Sequence, residues 1–269
     1  MKETRTEIIT SAQNPKFKDL LALQEKSRLR REKGLFVVEG RRELMHCLEA
    51  GYVPQTVFVC PEIIPEEDYR TVASACDCLF VEIPERLYEK AAYRGGTEGL
   101  IALIRSRELR LSDLKLRENP VIAVLESVEK PGNLGAVLRS ADAAGIDAVI
   151  VCDPLTDLYN PNLIRSSIGA IFTVPVVAVS SENAIKWLKD NNIKIFTAQL
   201  QDSEWYYDTD MRGPVAIVMG TEATGLTDIW RKAADAHIKI PMLGRLDSLN
   251  VSVSAAILLY EAVRQRNSK

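Results

Sequence analysis

The chain has 269 residues, of which 46% are hydrophobic and 26% charged, enough for more than one globular domain with a sizeable core. A net charge of -3 and a pI of about 5.6 exclude a uniformly basic nucleic-acid coat, so any RNA or DNA contact must come from a local patch.

Residues 1–33 read as polar and helix-forming. The stretch NPKFKDLLALQEKSRLRREKG carries Lys16, Lys18, Lys26, Arg28, Arg30, Arg31 and Lys33 beside an apolar stripe of Phe17, Leu20, Leu21, Leu23 and Leu29. Such a basic cluster is either a solvated helix face or a phosphate-contacting surface. Strands are expected at LFVVEG (35–40), TVFVC (56–60), LFVEI (79–83) and GLIALIR (99–105), and helices at 41–51, 65–77 and 84–92. Gly51 closes the first of these helices, and Pro65 and Pro84 start the other two. The alternation predicts a small layered α/β domain over residues 1–106. AYRGGTEG, with Arg94, Gly95 and Gly96, is expected as a loop, and the charged stretch 107–119 as a linker.

From residue 120 the pattern restarts. VIAVLES (121–127) is apolar throughout, as in a strand buried on both faces. EKPGN is expected as a loop and LGAVLRSADAAG (134–145) as a helix ended by Gly145. Strands follow at 147–152, 173–179, 193–199, 214–220 and 237–242. Helices are expected within 160–172, as SSIGAIF, and at 182–191 and 226–234. The last helix, 251–264, is apolar almost all round and must be covered on all sides, by its own domain or by another chain. Ser248 or Asn250 is a natural N-cap for it. Residues 120–269 therefore form a second α/β domain with a mostly parallel sheet, and such sheets bind ligands at the carboxyl ends of their strands.

Three loops fall at that edge: EKPGN, GTEATG and MLGRLDSLN. None reads as a dinucleotide fingerprint or a P-loop. His46 and His237 lie in different domains, so no Ser-His-Asp set forms. Cys76 and Cys78 have no second pair to complete a zinc site. The five cysteines argue for a reducing compartment. No apolar run reaches the roughly 20 residues of a membrane span, and MKETRTEIIT lacks the core of a signal peptide. The expectation is a cytoplasmic protein with no metal and no membrane partner. The polar groups at the three mouths are Asn133, Arg139, Glu222, Ser248 and Asn250.

PGNLGAVLRSADAAG, VMGTEATGL and IPMLGRLDSLNVSVSAAILLYEAVR resemble the three motifs of the SpoU/TrmH family of RNA 2′-O-ribose methyltransferases, of the SPOUT class. They stand in the family's order over residues 121–266. FVVEGRRELMHCLEAGYVPQTVFV is similar to the family's substrate-binding domain, which resembles a small ribosomal protein. Lys130, where the family often has Asp, and Ser254, where Ala is common, depart from the pattern. The resemblance implies a deep trefoil knot, S-adenosylmethionine bound in the knotted loops, and a homodimer whose interface includes the final helix. It places Asn133, Arg139, Glu222 and Asn250 in the catalytic site. It implies that Gly220, Ile240, Ser248, Leu249 and Asn250 hold the cofactor. RNA contact falls to Arg139 and to the cluster Arg28, Arg30 and Arg31. A guanidinium donates hydrogen bonds and is a poor proton acceptor, so Arg139 suits a clamp on phosphate and oxyanion better than a base. The implied substrate is a structured RNA, ribosomal rather than transfer RNA. A transfer-RNA enzyme and a catalytically silent RNA-binding protein of the same fold are the alternatives.

Overall fold

The structure is a computed structural model that describes residues 5–93, 98–221 and 224–267. The expected loop around Arg94, Gly95 and Gly96 lies outside the described residues. The chain divides into two compact units, Met1–Arg107 with Asp157–Thr173 and Glu108–Thr156 with Val174–Lys269.

The first unit opens with β1 (Thr6–Ile8), α1 (Pro15–Glu25), α2 (Ser27–Lys33), β2 (Leu35–Glu39) and α3 (Arg41–Glu49). It continues with β3 (Pro54–Val59), α4 (Glu66–Ala75), β4 (Leu79–Glu82), α5 (Glu85–Ala91) and β5 (Leu100–Arg105). Its five-stranded sheet has the order β1-β4-β3-β5-β2. Phe17, Leu20 and Leu23 of α1 are buried with Val37, Phe58, Val81 and Ile101 of the strands. The apolar stripe of the basic N-terminal stretch is thus core. β1 was not legible in sequence: TEI is short, polar and exposed, and it pairs only along β4.

The second unit opens with a short turn at Leu111–Asp113, followed by β6 (Val121–Glu126), α6 (Pro131–Ala143) and β7 (Ala148–Cys152). The stretch 107–119, read as a linker, carries Leu111, Leu114 and Leu116 packed against this unit's core. α6 starts three residues before the expected position. Pro131 is preorganised for the first helical turn and has no N–H to leave unpaired there, so Pro131, Gly132 and Asn133 are helix rather than loop.

The chain then returns to the first unit as α7 (Pro161–Ser166) and α8 (Ala170–Thr173). One helix was expected here. Ile168 (φ 54°) and Gly169 (φ 82°) adopt left-handed backbone and split it. Tyr159 stacks on Phe36 at 4.2 Å, and Phe172 meets the edge of Tyr52 at 5.3 Å. These rings tie Asp157–Thr173 to the first unit.

β8 (Val176–Val179), α9 (Ser181–Asp190), β9 (Lys194–Ala198), β10 (Glu204–Trp205), β11 (Val215–Met219), α10 (Asp228–Ala233), β12 (Ala236–Lys239) and α11 (Val251–Asn267) complete the second unit. Its seven-stranded sheet, β10-β12-β9-β11-β6-β7-β8, is parallel at every pairing. β6, β7 and β11 are buried along their whole length. Two-residue β10 was not anticipated. α9 and α10 cover one face with Ala184, Leu188 and Trp230. α11 packs on α6, β6 and β11 through Ala255, Leu258, Leu259 and Ala262. Each buried leucine contributes about 1.5–3 kcal/mol. No helix among the described residues is long and apolar enough to cross a membrane.

Arg30 corrects an expectation. Its side chain is 4% exposed and pairs with Asp157, itself 11% exposed, at 2.7 Å. Nη1 also donates to Leu23 O and Gln24 O at 2.6 and 3.0 Å. A guanidinium enclosed in this way cannot reach a phosphate. Breaking such a pair strands a buried charge and costs about 3–5 kcal/mol. Asp157→Ala is therefore expected to lower the melting temperature markedly, with Arg31→Ala, at an exposed site, nearly neutral. Equal melting of Asp157→Ala and wild type in calorimetry would remove the structural role given to this pair.

Candidate active site

The carboxyl ends of β6, β9, β11 and β12 lie side by side. The ladders pair Leu125 with Met219, Val218 with Thr197, and Ile238 with Ala198. Glu126, Gly220, Gln199 and Lys239 therefore form one row across the edge of the sheet.

The turn after β11 is tightly folded. Thr224 N donates to Thr221 Oγ1 at 3.0 Å, and Gly225 N to Thr221 O at 3.1 Å. The chain doubles back over Gly220: a Cβ there would lie 2.3 Å from the carbonyl carbon and oxygen of Gly225. The glycine admits its own chain's backbone, a contact no larger residue permits. Glu222, expected in the catalytic site, lies outside the described residues. Beneath this turn, Glu126 is 3% exposed and accepts from Thr227 N at 2.9 Å and Thr227 Oγ1 at 2.5 Å. Its carboxylate anchors the start of α10, where the helix dipole favours negative charge.

The first and third motifs meet through two asparagines. Asn133 sits in the first turn of α6, and Asn250 Nδ2 donates to Asn133 Oδ1 at 3.1 Å. Asn250 also caps α11: its Oδ1 accepts from Ser252 N and Oγ at 3.0 and 2.6 Å, and its carbonyl from Val253 N and Ser254 N. Of the two expected caps, Asn250 fills the role. Ser248 Oγ instead donates to Asp247 Oδ1 at 3.2 Å. Ile240 is half-buried just past β12, whereas residues 243–250 are all exposed, with Leu243 at 97% and Leu249 at 39%. Arg139 is exposed on α6, about 9 Å along the axis from Asn133 at 1.5 Å per residue. It has no acid partner among the described residues.

His237 is not positioned for chemistry. Its Nδ1 shares a hydrogen bond of 2.6 Å with the hydroxyl of fully buried Thr197 inside the sheet. Among the described residues no three His, Cys, Asp or Glu side chains gather as metal ligands. The sequence reading overlooked Gln199. Its Oε1 is buried and accepts no hydrogen bond from a described residue. Its one signal in the sequence is a long polar side chain just past a buried parallel strand.

In the first unit the basic cluster divides. Arg30 is interior, Lys33 pairs with Asp19, Lys16 with Glu7 and Arg28 with Glu32. Lys18, Lys26 and Arg31 are exposed and show no acid partner among the described residues. Exposed ion pairs such as Arg28–Glu32 are weak and screened by salt, so Arg28 remains available to a phosphate.

The Gly220 crossing generates a direct test. Gly220→Ala is expected to force the backbone at Gly220 and Gly225 apart and so to lower the melting temperature markedly. A variant that melts as wild type would show that the fold does not depend on this contact.

The SpoU rRNA Methylase family matches residues 120–260, and the MRM3-like substrate binding domain matches residues 14–102. The chain is 36% identical over 198 residues to the 23S rRNA (guanosine-2'-O-)-methyltransferase RlmB of Yersinia pestis, a match covering 71% of this chain and 80% of that one. A solved structure described as an RNA 2'-O ribose methyltransferase is 40% identical, with a TM-score of 0.84 over 97% of this chain and 99% of its own. The SpoU methyltransferase AviRb of Streptomyces viridochromogenes, solved with the cofactor AdoMet (S-adenosylmethionine), is 27% identical, with a TM-score of 0.89 over 95% of this chain and 99% of its own. One feature of the edge described above fits such a cofactor: the buried Oε1 of Gln199, which accepts no hydrogen bond from a described residue. The three motifs, the parallel sheet and the match over residues 120–260 place the chain in the SpoU rRNA methylase family.

Proposed function

We propose that this protein methylates the 2′-hydroxyl of a ribose in structured RNA, ribosomal rather than transfer RNA, using S-adenosylmethionine. The observation that carries this reading is the Asn133–Asn250 hydrogen bond. It joins the first and third motifs at the sheet's carboxyl edge, with Arg139 exposed on the same helix as Asn133. The name of the Yersinia relative supports ribosomal RNA.

When bound, S-adenosylmethionine supplies the methyl group as an electrophile. A ribose hydroxyl is a poor nucleophile, and its proton must be drawn off as the methyl transfers. Arg139 donates its guanidinium N–H groups to the developing oxyanion and the neighbouring phosphate and stabilises both. Asn133 and Asn250 hold the starts of α6 and α11 in fixed relation, and Glu222 completes the catalytic set. Gly220, Ile240, Ser248, Leu249 and Asn250 form the cofactor's cradle, in the loops the family knots into a trefoil. The first unit holds the RNA, with Arg28 and Arg31 on its basic face and Arg30 as their internal support. The protein works in the cytoplasm.

The protein acts as a homodimer through α11. Val253 and Tyr260 remain 46% and 48% exposed in the single chain, and they stand on one side of the helix with half-buried Ile257. A second copy packing by two-fold symmetry covers this stripe. Leu258 and Leu259 are fully buried within the chain itself, so substitutions there would unfold the unit rather than separate copies.

Arg139→Ala is expected to cut methyl transfer from labelled S-adenosylmethionine into ribosomal RNA by about 10²-fold or more, with unchanged calorimetric affinity for S-adenosylhomocysteine. Near wild-type turnover would remove Arg139 from the site. Val253→Asp with Tyr260→Asp is expected to halve the mass seen by light scattering, from twice the 30.0 kDa chain to the single chain. A wild type that is already monomeric at micromolar concentration would exclude the dimer.

A further inference from the structure

Gln199 directly follows β9, inside the sheet of the second unit. The ladders put it level with Gly220 on one side and Lys239 on the other, and its N–H donates to Ile238 O at 3.0 Å. Its amide orientation is fixed, because Nε2 donates to Gln201 O at 2.9 Å and a flipped amide would set two oxygens against each other. Oε1 is therefore a buried acceptor, and no described residue donates to it. The donors beside it are engaged elsewhere. Lys239 Nζ lies 4.8 Å above the Trp205 ring, and Thr197 Oγ1 is shared with His237. A buried acceptor without a donor carries its full desolvation penalty, so this position is built for a donor that arrives from outside the chain.

We propose that Gln199 Oε1 accepts a hydrogen bond from the 6-amino group of the cofactor's adenine, so that Gln199 selects adenosine over its deaminated form. The proposal rests on the cofactor reading above. A neutral amide oxygen matches a neutral N–H donor. The cofactor's ammonium would be better met by a carboxylate, and Glu126, on the same row, is already engaged by Thr227. A site built to receive a particular N–H rejects analogues that lack it, because its own polar group is then left unpaired.

Calorimetric titration with S-adenosylhomocysteine and S-inosylhomocysteine tests this without measuring activity. The wild type is expected to prefer the adenosyl compound by about tenfold or more, the size of one hydrogen bond. Gln199→Met keeps the side-chain length and removes the acceptor. It is expected to bind S-adenosylhomocysteine about tenfold more weakly without weakening S-inosylhomocysteine, so the preference disappears. The melting curve of the ligand-free variant is expected to match wild type, which shows that it folds. Equal binding of both compounds by the wild type overturns the proposal, as does an unchanged preference in Gln199→Met; the latter would assign Oε1 to a bound water. Equal weakening for both compounds also overturns it and moves the contact to the ribose. A wild type that binds neither compound overturns the cofactor reading itself.

Discussion

The hydrogen bond from Asn250 Nδ2 to Asn133 Oδ1 holds the start of α11 against the start of α6, and the functional edge of the second unit is arranged around it. One asparagine side chain does two jobs: its oxygen accepts from Ser252 N at the start of α11, and its amide reaches a residue 117 positions earlier. A serine or aspartate could supply the cap, but neither carries an NH₂ to donate as well. Behind this polar tie, Ala255, Leu258, Leu259 and Ala262 bury one face of α11. The helix is thus fixed at its mouth by hydrogen bonds and along its length by apolar burial. Val253 and Tyr260 are left outward.

Rigid strands and exposed loops divide the work in the way α/β sheets usually do. β6, β7 and β11 are apolar and buried on both sides, so they supply position and no chemistry. The polar groups gather toward the carboxyl ends of the strands and just past them. Glu126 is consumed in anchoring α10, and His237 in the sheet. Among the described residues, Arg139 has no acid partner and the acceptor of Gln199 has no donor.

Much of this was legible in the sequence, because burial on both faces leaves an unmistakable apolar run, as in VIAVLE and VAIVM, and because Gly145 and Pro131 punctuate α6. The start of α6 was misplaced since Pro131 and Gly132 also suit a loop. β1 and β10 escaped because an exposed edge strand of two or three residues has no apolar pattern to show. Arg30 was indistinguishable from Arg28 and Arg31, since its acid partner Asp157 lies 127 residues away. The apolar composition of α11 announced complete burial but not which side its own chain covers. The convergence of Asn133 and Asn250 followed from the family's motifs, whereas the isolated acceptor of Gln199 is a property of packing that no motif records.

The central claim is that this site methylates a ribose of ribosomal RNA. It is tested most directly by mapping 2′-O-methyl groups, through their resistance to alkaline cleavage, in ribosomal and transfer RNA taken from a strain lacking this protein. The RNA is mapped before and after incubation with the purified protein and S-adenosylmethionine. The account predicts one new alkali-resistant position in ribosomal RNA and none in transfer RNA. Methyl groups appearing on a base, only in transfer RNA, or nowhere would contradict it.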